Sequence, residues 1–182
     1  MRPEVTLRMK LHRLLLLFVG VAAIPAFAQP RQPVTLITGK AFDAAVPRDF
    51  YLEGNAIPTE KRNAAFLRLP SGGRALFALI DTTGYAQDIQ TKYVGMFIIE
   101  SSMGICGAVL QTGSYGFGWV RPKPGAEEGP GLISIYDQAG RPVGSCATSP
   151  EGKLEQPRPL QVLPGPGGTG RLYYGRQVVV FR

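Results

Sequence analysis

Residues 113–119 read Gly-Ser-Tyr-Gly-Phe-Gly-Trp, and this stretch decides the fold. Because successive side chains of a strand point to opposite faces, Tyr115, Phe117 and Trp119 would share one face of a strand. Such a row serves either as part of a hydrophobic core or as an exposed ledge on which a ligand stacks. The sequence favours a core, because Trp119 is the one tryptophan of the chain and a sandwich of this size needs large side chains inside.

The alternative hypothesis for this row is a glycan-binding ledge formed by Tyr115, Phe117 and Trp119. Gly116 and Gly118 alternate with the rings, on the face that is either exposed to solvent or pressed by a neighbouring backbone. Both hypotheses require a strand here, and the exposure of Trp119 distinguishes them.

Short apolar runs along the rest of the chain also indicate strands. They are rich in β-branched and aromatic residues, and Gly or Pro interrupts them about every ten residues, as in all-β domains. We therefore predict one antiparallel β-sandwich over residues 29–182, with immunoglobulin-like or jelly-roll-like layering, or a flattened barrel. The chain is long enough for one domain with a substantial core.

Polar turn residues between neighbouring runs predict hairpins. The expected pairs of strands are 66–69 with 74–80, 93–99 with 105–110, 132–136 with 141–147, and 172–174 with 177–181. Three segments are expected to be loops because they are polar or rich in Pro and Gly, namely 81–90, which could include a helical turn, 121–131 and 149–170. Residues 53–65 are interpreted as a solvated turn or an exposed recognition loop, with a turn or two of helix over 59–65.

Cys106 and Cys146 are the two cysteines of the chain. In an exported protein the simplest interpretation is one structural disulfide between them. The stretches around both residues look like strands, so the bond is expected to tie two strands, and a bond across the core is one such arrangement. A redox or nucleophilic thiol is the alternative, but the chain has no Cys-x-x-Cys spacing to support it.

The first 28 residues have the pattern of a cleaved signal peptide. Basic residues precede the apolar run 14–24, Pro25 follows, and the small-x-small pattern at 26–28 predicts cleavage between Ala28 and Gln29. The run is too short to span a bilayer comfortably, which leaves no membrane span after cleavage. Translation starts at Met1 or at Met9, and we expect an exported protein, periplasmic or extracellular.

Removal of residues 1–28 excludes several classes of function. The formal net charge falls from +7 to +4, and the remaining arginines are scattered, so nucleic acid is not an expected partner. His12 is the single histidine of the chain and is lost as well. Catalysis by a Ser-His-Asp or Cys-His unit is thereby excluded, as is any imidazole metal site.

Carboxylates are the remaining candidates for chemistry. Asp49 and Glu53 would lie on one face of a strand about 13 Å apart, which is long even for an inverting glycosidase. Asp81 and Asp88 could supply oxygen ligands to calcium, although their spacing is not that of an EF-hand. Ordinary solvated acids and turn chemistry are the simpler interpretations, so we predict no catalytic residue, no metal and no cofactor.

Three hypotheses for function follow. The leading one is a non-enzymatic exported binding or structural module, whose partner could be envelope polysaccharide, another exported protein or a small apolar ligand. The second is a histidine-free, glycosidase-like hydrolase, which requires carboxylates converging in a concave pocket. The third is an assembly subunit that pairs through an unpaired edge strand, with 177–181 as the candidate strand.

Overall fold

The turn residues and apolar runs of the sequence produce two antiparallel sheets in the computed structural model, which describes residues 32–120, 129–152 and 154–182. The described part of the chain contains fourteen strands, two short α-helices and one 3-10 turn. In chain order the elements are β1 Thr35–Ile37, α1 Lys40–Ala45, β2 Asp49–Leu52, β3 Asn55–Arg68, β4 Arg74–Ile80, α2 Gln87–Lys92, β5 Gly95–Ile99, β6 Met103–Ile105, β7 Ala108–Leu110, β8 Gly113–Val120, β9 Leu132–Asp137, β10 Pro142–Ala147, β11 Ser149–Pro150, β12 Leu160–Pro164, the 3-10 turn Pro166–Gly168, β13 Gly170–Tyr174 and β14 Gln177–Phe181.

The strands form two sheets that pack face to face, which confirms the predicted all-β sandwich. The first sheet has the order β1-β3-β4-β5-β8-β9-β10, with β2 paired to β3. The second has the order β12-β13-β14-β6-β7, with β11 paired to β14. All the pairings are antiparallel, which accords with a chain built largely from hairpins.

Each face of the first sheet buries a separate hydrophobic core. One core lies between the two sheets and includes Phe77, Phe97, Phe117, Leu172 and Phe181. The other lies on the opposite face of the first sheet, where β2 and α2 cover the outward side chains of β4 and β5. The strands β4 and β5 are therefore apolar on both faces, because both faces are covered.

Three predicted hairpins are confirmed, those of β3 with β4, β9 with β10, and β13 with β14. In the last of these, Tyr174 pairs with Gln177 across the two-residue turn Gly175-Arg176, and Gly175 has a φ of 62°. Only glycine adopts such a left-handed conformation at little cost, so this turn is encoded locally.

The interpretation of residues 53–65 as a loop with a helical turn is wrong. Residues 55–65 belong to the long strand β3, whose first part pairs with β2 across the turn Glu53-Gly54. Both turn residues have positive φ, at 49° and 78°, as expected for a tight two-residue hairpin loop. A shift of register between Glu60 and Ala64 lets the charged stretch bulge without ending the strand.

The single strand expected over 105–110 is also wrong. The chain reverses at Cys106-Gly107, where φ is 51° and 74°, and β6 and β7 form a hairpin on either side. The predicted loop at 149–170 likewise contains two strands, β11 and β12. Its prolines are compatible with these strands because β12 is an edge strand and β11 is only two residues long.

The proposed edge strand 177–181 lies inside its sheet, so it is the wrong candidate for strand-mediated assembly. Strand β14 pairs with β13 along one side, and with β11 and β6 along the other. Its backbone groups are largely engaged within the protein. The described edges of the second sheet are instead β12 and β7.

The predicted disulfide is confirmed, and its position is more informative than the sequence indicated. Cys106 lies at the tip of the β6–β7 hairpin of the second sheet, whereas Cys146 lies in β10, an edge strand of the first sheet. The bond therefore joins the two sheets near one side of the sandwich. It closes a loop across a sequence separation of 40 residues.

The described residues belong to one unit, Arg31–Arg182. Among them, no helix is long and apolar enough to cross a membrane. The predicted signal peptide and its cleavage site at Ala28 and Gln29 lie outside the described residues, as does most of the predicted loop 121–131.

Candidate functional site

The aromatic row of β8 lies in the core between the sheets. Phe117 is fully buried and Trp119 is 7% exposed, while Tyr115 is half-buried against the same core. The ring of Tyr115 stacks on Phe97, and the ring of Trp119 lies 5.3 Å from that of Tyr174 in the other sheet. The ligand ledge hypothesised for Tyr115, Phe117 and Trp119 requires rings exposed together, which these residues do not provide.

The glycines between the aromatic residues are required because other residues pack closely on the opposite face of β8. A Cβ at Gly116 would stand 2.7 Å from the ring of Tyr93, and one at Gly118 would stand 2.2 Å from the carbonyl oxygen of Lys92. The C-terminal end of α2 therefore packs directly on the backbone of β8. The glycines allow this close approach and do not indicate a solvent-exposed surface.

A polar cluster centred on Glu53 holds this end of α2 in place. Lys92 Nζ donates to Glu53 Oε1 at 2.5 Å and to the Gly140 carbonyl at 2.7 Å, and the Tyr93 hydroxyl donates to the same carboxylate oxygen at 2.6 Å. The Glu53 amide donates to the carbonyl of Gln138 at 2.8 Å. The cluster thus joins the β2–β3 turn, α2 and the β9–β10 turn.

The charges of this cluster favour an ionised carboxylate. Hydrogen bonds from Lys92 and then from Tyr93 lower the pKa of Glu53 below its ordinary value, against a smaller effect of burial. Burial, followed by the bond to Glu53, raises the pKa of Tyr93, which therefore remains a neutral donor. The three groups satisfy one another, so the cluster is structural and offers no free group to a substrate.

We expect Glu53→Gln to lower the free energy of unfolding by about 1–2 kcal/mol at pH 7, because it removes a charge-assisted pair whose side chains are only 26% and 28% exposed. A carboxylate with a lowered folded pKa stabilises the fold above its ordinary pKa and loses this contribution as the pH falls through the folded value. Urea unfolding between pH 7 and pH 2 should therefore show the difference between Glu53→Gln and the parent shrinking in acid.

The matched control for Glu53→Gln is Asp43→Asn, which breaks the more exposed pair with Lys61 and should change the stability by less than about 0.5 kcal/mol. A difference between Glu53→Gln and the parent that persists undiminished at pH 2 would contradict the assignment of the pH dependence to Glu53.

The structure does not bring the other candidate carboxylates into a catalytic arrangement. Asp49 lies in β2 and Glu53 in the following turn, where its carboxylate is engaged as described. Hydrogen bonds from the side chain and then from the amide of Thr83 lower the pKa of the Asp81 carboxyl, which is ordinary turn chemistry. The described residues contain no group of three or more His, Cys, Asp or Glu side chains placed to hold a metal ion.

A cavity on the outer face of the second sheet is the strongest candidate site. In β13, Leu172 points into the core between the sheets, so its neighbours Arg171 and Tyr173 point to the outer face. The cavity measures about 570 Å³, within the range of about 300–1,000 Å³ typical of ligand sites. It is lined by Glu151, Leu154, Glu155, Gln156, Leu163, Arg171 and Tyr173.

Hydrogen bonds from the β13–β14 turn position the covering side of this cavity. The amide of Glu151 donates to the carbonyl of Arg176 at 2.8 Å. The Arg176 guanidinium donates in return to the carbonyls of Gly152 and Leu154 at 3.3 and 3.0 Å. Because of this cover, Tyr173 is fully buried although it lies on an outer face of the sandwich.

Two buried donors at the cavity have no hydrogen-bond partner among the described residues. They are the hydroxyl of Tyr173 and the Nε of Arg171. A buried polar group without a partner costs about 1–3 kcal/mol, so native proteins retain few of them. Because both groups belong to side chains that line one cavity, they make this cavity the candidate ligand site.

The charges around these donors are mixed. Arg171 Nη1 lies 3.3 Å from Glu151 Oε2, and the guanidinium also stands over the ring of Tyr173 at 5.6 Å. Burial raises the pKa of Tyr173. The charge of Arg171 lowers this pKa and the charge of Glu151 raises it, and the net increase keeps the hydroxyl neutral and able to donate. Glu155 adds a second carboxylate to the lining. The cavity thus offers both donors and acceptors.

The sequence did not indicate this cavity. A strand over 172–174 places Leu172 and Tyr173 on opposite faces, but it does not show that both faces are covered. The cover is formed by residues 151 and 154–156, within a stretch interpreted as a loop. Its contact with β13 depends on the pairing of β11 and β12, which composition alone does not reveal.

Comparison with known proteins identifies no relative, because no family model, curated protein or solved structure matches the chain.

Proposed function

We propose that this chain is an exported, non-enzymatic binding module whose ligand site is the outer-face cavity of the second sheet. The observation that carries the proposal is the pair of buried, unpartnered donors, Tyr173 OH and Arg171 Nε, at that cavity. The signal-peptide pattern and the disulfide support export, because disulfides persist in oxidising compartments.

A polyhydroxylated ligand, such as an oligosaccharide of the cell envelope, fits this set of groups best. Each sugar hydroxyl both donates and accepts a hydrogen bond. Such hydroxyls would accept from Tyr173 and Arg171 and donate to the carboxylates of Glu151 and Glu155 with a small adjustment of the surrounding side chains. A simple anion would be repelled by the two carboxylates, and a simple cation would leave the buried donors unpaired.

The two carboxylates also make a histidine-free hydrolase the second candidate function. A glycosidase needs two carboxyl groups for its chemistry, one on each side of the scissile bond. Here Glu151 is already engaged by Arg171, which leaves Glu155 as the lining carboxylate without a described ion-pair partner. This arrangement favours binding over hydrolysis.

The test is a glycan array probed with the disulfide-bonded protein, followed by calorimetric titration of the oligosaccharides that bind. We expect specific binding that Tyr173→Phe weakens about tenfold, because a hydroxyl-to-ligand hydrogen bond is lost at a buried site. Tyr85→Phe is the matched control, since Tyr85 packs against the core on the outer face of the first sheet and does not line the cavity, so its change should leave the affinity unaltered.

Three outcomes would count against this proposal. Absence of binding to every glycan would contradict the ligand class, and equal affinity of Tyr173→Phe and the parent would contradict the site. Release of cleaved sugar from a bound oligosaccharide, abolished by Glu155→Gln, would support the hydrolase instead.

A further inference from the structure

A second cavity opens at the side of the sandwich where both sheets have an edge. Strand β1 ends the first sheet and β12 ends the second, and the cavity lies between them, beside α1. It measures about 430 Å³. Its wall includes Ala65 and Val162, which belong to the core between the sheets, so an occupant of the cavity would contact the interior of the sandwich.

The lining of this cavity is mainly apolar. Leu36, Ile37 and Phe42 contribute from β1 and α1, and Phe66 contributes from β3. Leu36 is 51% exposed, so part of this apolar wall is open to solvent. An apolar wall of this kind gains free energy when hydrocarbon displaces water from it.

The charged side chains among the described lining residues are those of two arginines. Arg62 in β3 and Arg158 before β12 are exposed side chains in its lining, and neither forms an ion pair with a carboxylate of the described residues. Gln161 adds an amide nitrogen that is buried and has no described hydrogen-bond partner. No aspartate or glutamate is among the described residues of the lining.

We propose that this cavity binds an anionic amphiphile, with a hydrocarbon chain against the apolar wall and a carboxylate head against Arg62 and Arg158. Two unpaired guanidiniums beside an apolar cavity are complementary in charge and polarity to such a molecule, because arginine presents several donors to a carboxylate. The buried amide of Gln161 can supply a further donor to the head group. The proposal is independent of export and of the glycan site, although the two cavities share Gln156 and Leu163 in their linings.

The experiment is calorimetric titration of the disulfide-bonded protein with sodium dodecanoate below its micellar concentration. We expect saturable one-to-one binding, and about tenfold weaker binding of the neutral analogue dodecanol, because the ion pairs to the guanidiniums are absent. The double variant Arg62→Ala, Arg158→Ala should lose affinity for dodecanoate by a similar factor. Leu36→Glu, which places a negative charge at an exposed position of the lining, should weaken binding further.

Arg48→Ala is the matched control, since it removes one exposed arginine that does not line the cavity and should leave the affinity for dodecanoate unchanged. Tyr173→Phe should also leave it unchanged, which separates this site from the proposed glycan site. Failure of dodecanoate to bind, equal affinity for dodecanol, or unaltered binding by the double arginine variant would each overturn the proposal.

Discussion

Replacing Cys106 and Cys146 together by serine is expected to lower the free energy of unfolding by about 4 kcal/mol. The disulfide closes a loop across a sequence separation of 40 residues, and removing it restores the corresponding chain entropy to the unfolded state. This is a large share of the 5–15 kcal/mol by which a domain is typically stable. The bond also joins the β6–β7 hairpin to β10 of the other sheet, a link that no backbone pairing provides.

Guanidinium chloride unfolding of the oxidised parent and of the double serine variant measures this effect. Ser145→Ala serves as the control, because Ser145 neighbours Cys146 and donates a hydrogen bond to the carbonyl of Ile133, and its loss should cost no more than about 1 kcal/mol. A loss below 1 kcal/mol for the double serine variant would show that the link between the sheets contributes little.

Phe117→Ala is expected to destabilise the protein by about 3–5 kcal/mol, because it empties a fully buried site at the centre of the sandwich. The ring of Phe117 packs near that of Phe97, and it fills the space left by the absent Cβ of Gly95, which would stand 2.4 Å from it. The surrounding strands are paired on both sides and have little freedom to close the cavity.

The measurement is again equilibrium unfolding, with Val120→Ala in the same strand as control. Val120 is 62% exposed, so its truncation should change the stability by less than about 0.5 kcal/mol. A ligand ledge would give a different result for Phe117→Ala, namely nearly unchanged stability.

The sequence predicted those features of the fold that local residues encode. Gly175 and the polar turns place the hairpins, and the alternation in 113–119 identifies β8 and its buried face. The failures have a common physical cause, which is tertiary context. Residues 59–65 have the composition of a helical turn. Strand β2 pairs with β3 just before this stretch, and β4 pairs with residues 59–60 and 64–65 within it, which holds it in a strand.

The prediction around Cys106 failed in the other way, because a strand was predicted where the structure has a turn. Residues 105–110 have the composition of one continuous strand. The left-handed conformations of Cys106 and Gly107 reverse the chain there and produce a hairpin. The candidate sites depend even more on long-range contacts. The donors of Arg171 and Tyr173 are buried because residues 151 and 154–156 lie over them, and Arg62 and Arg158 line one cavity because two sheet edges lie side by side there.

The measurement that tests the central claim most directly is the combined stability and ligand affinity of Tyr173→Phe. If the hydroxyl of Tyr173 is unpaired without ligand, its removal should leave the free energy of unfolding unchanged or raise it by up to about 1 kcal/mol. The affinity for the bound oligosaccharide should fall about tenfold in the same variant. A loss of stability of 1 kcal/mol or more with unchanged affinity would contradict the account, because it would show that the hydroxyl serves the fold and not a ligand.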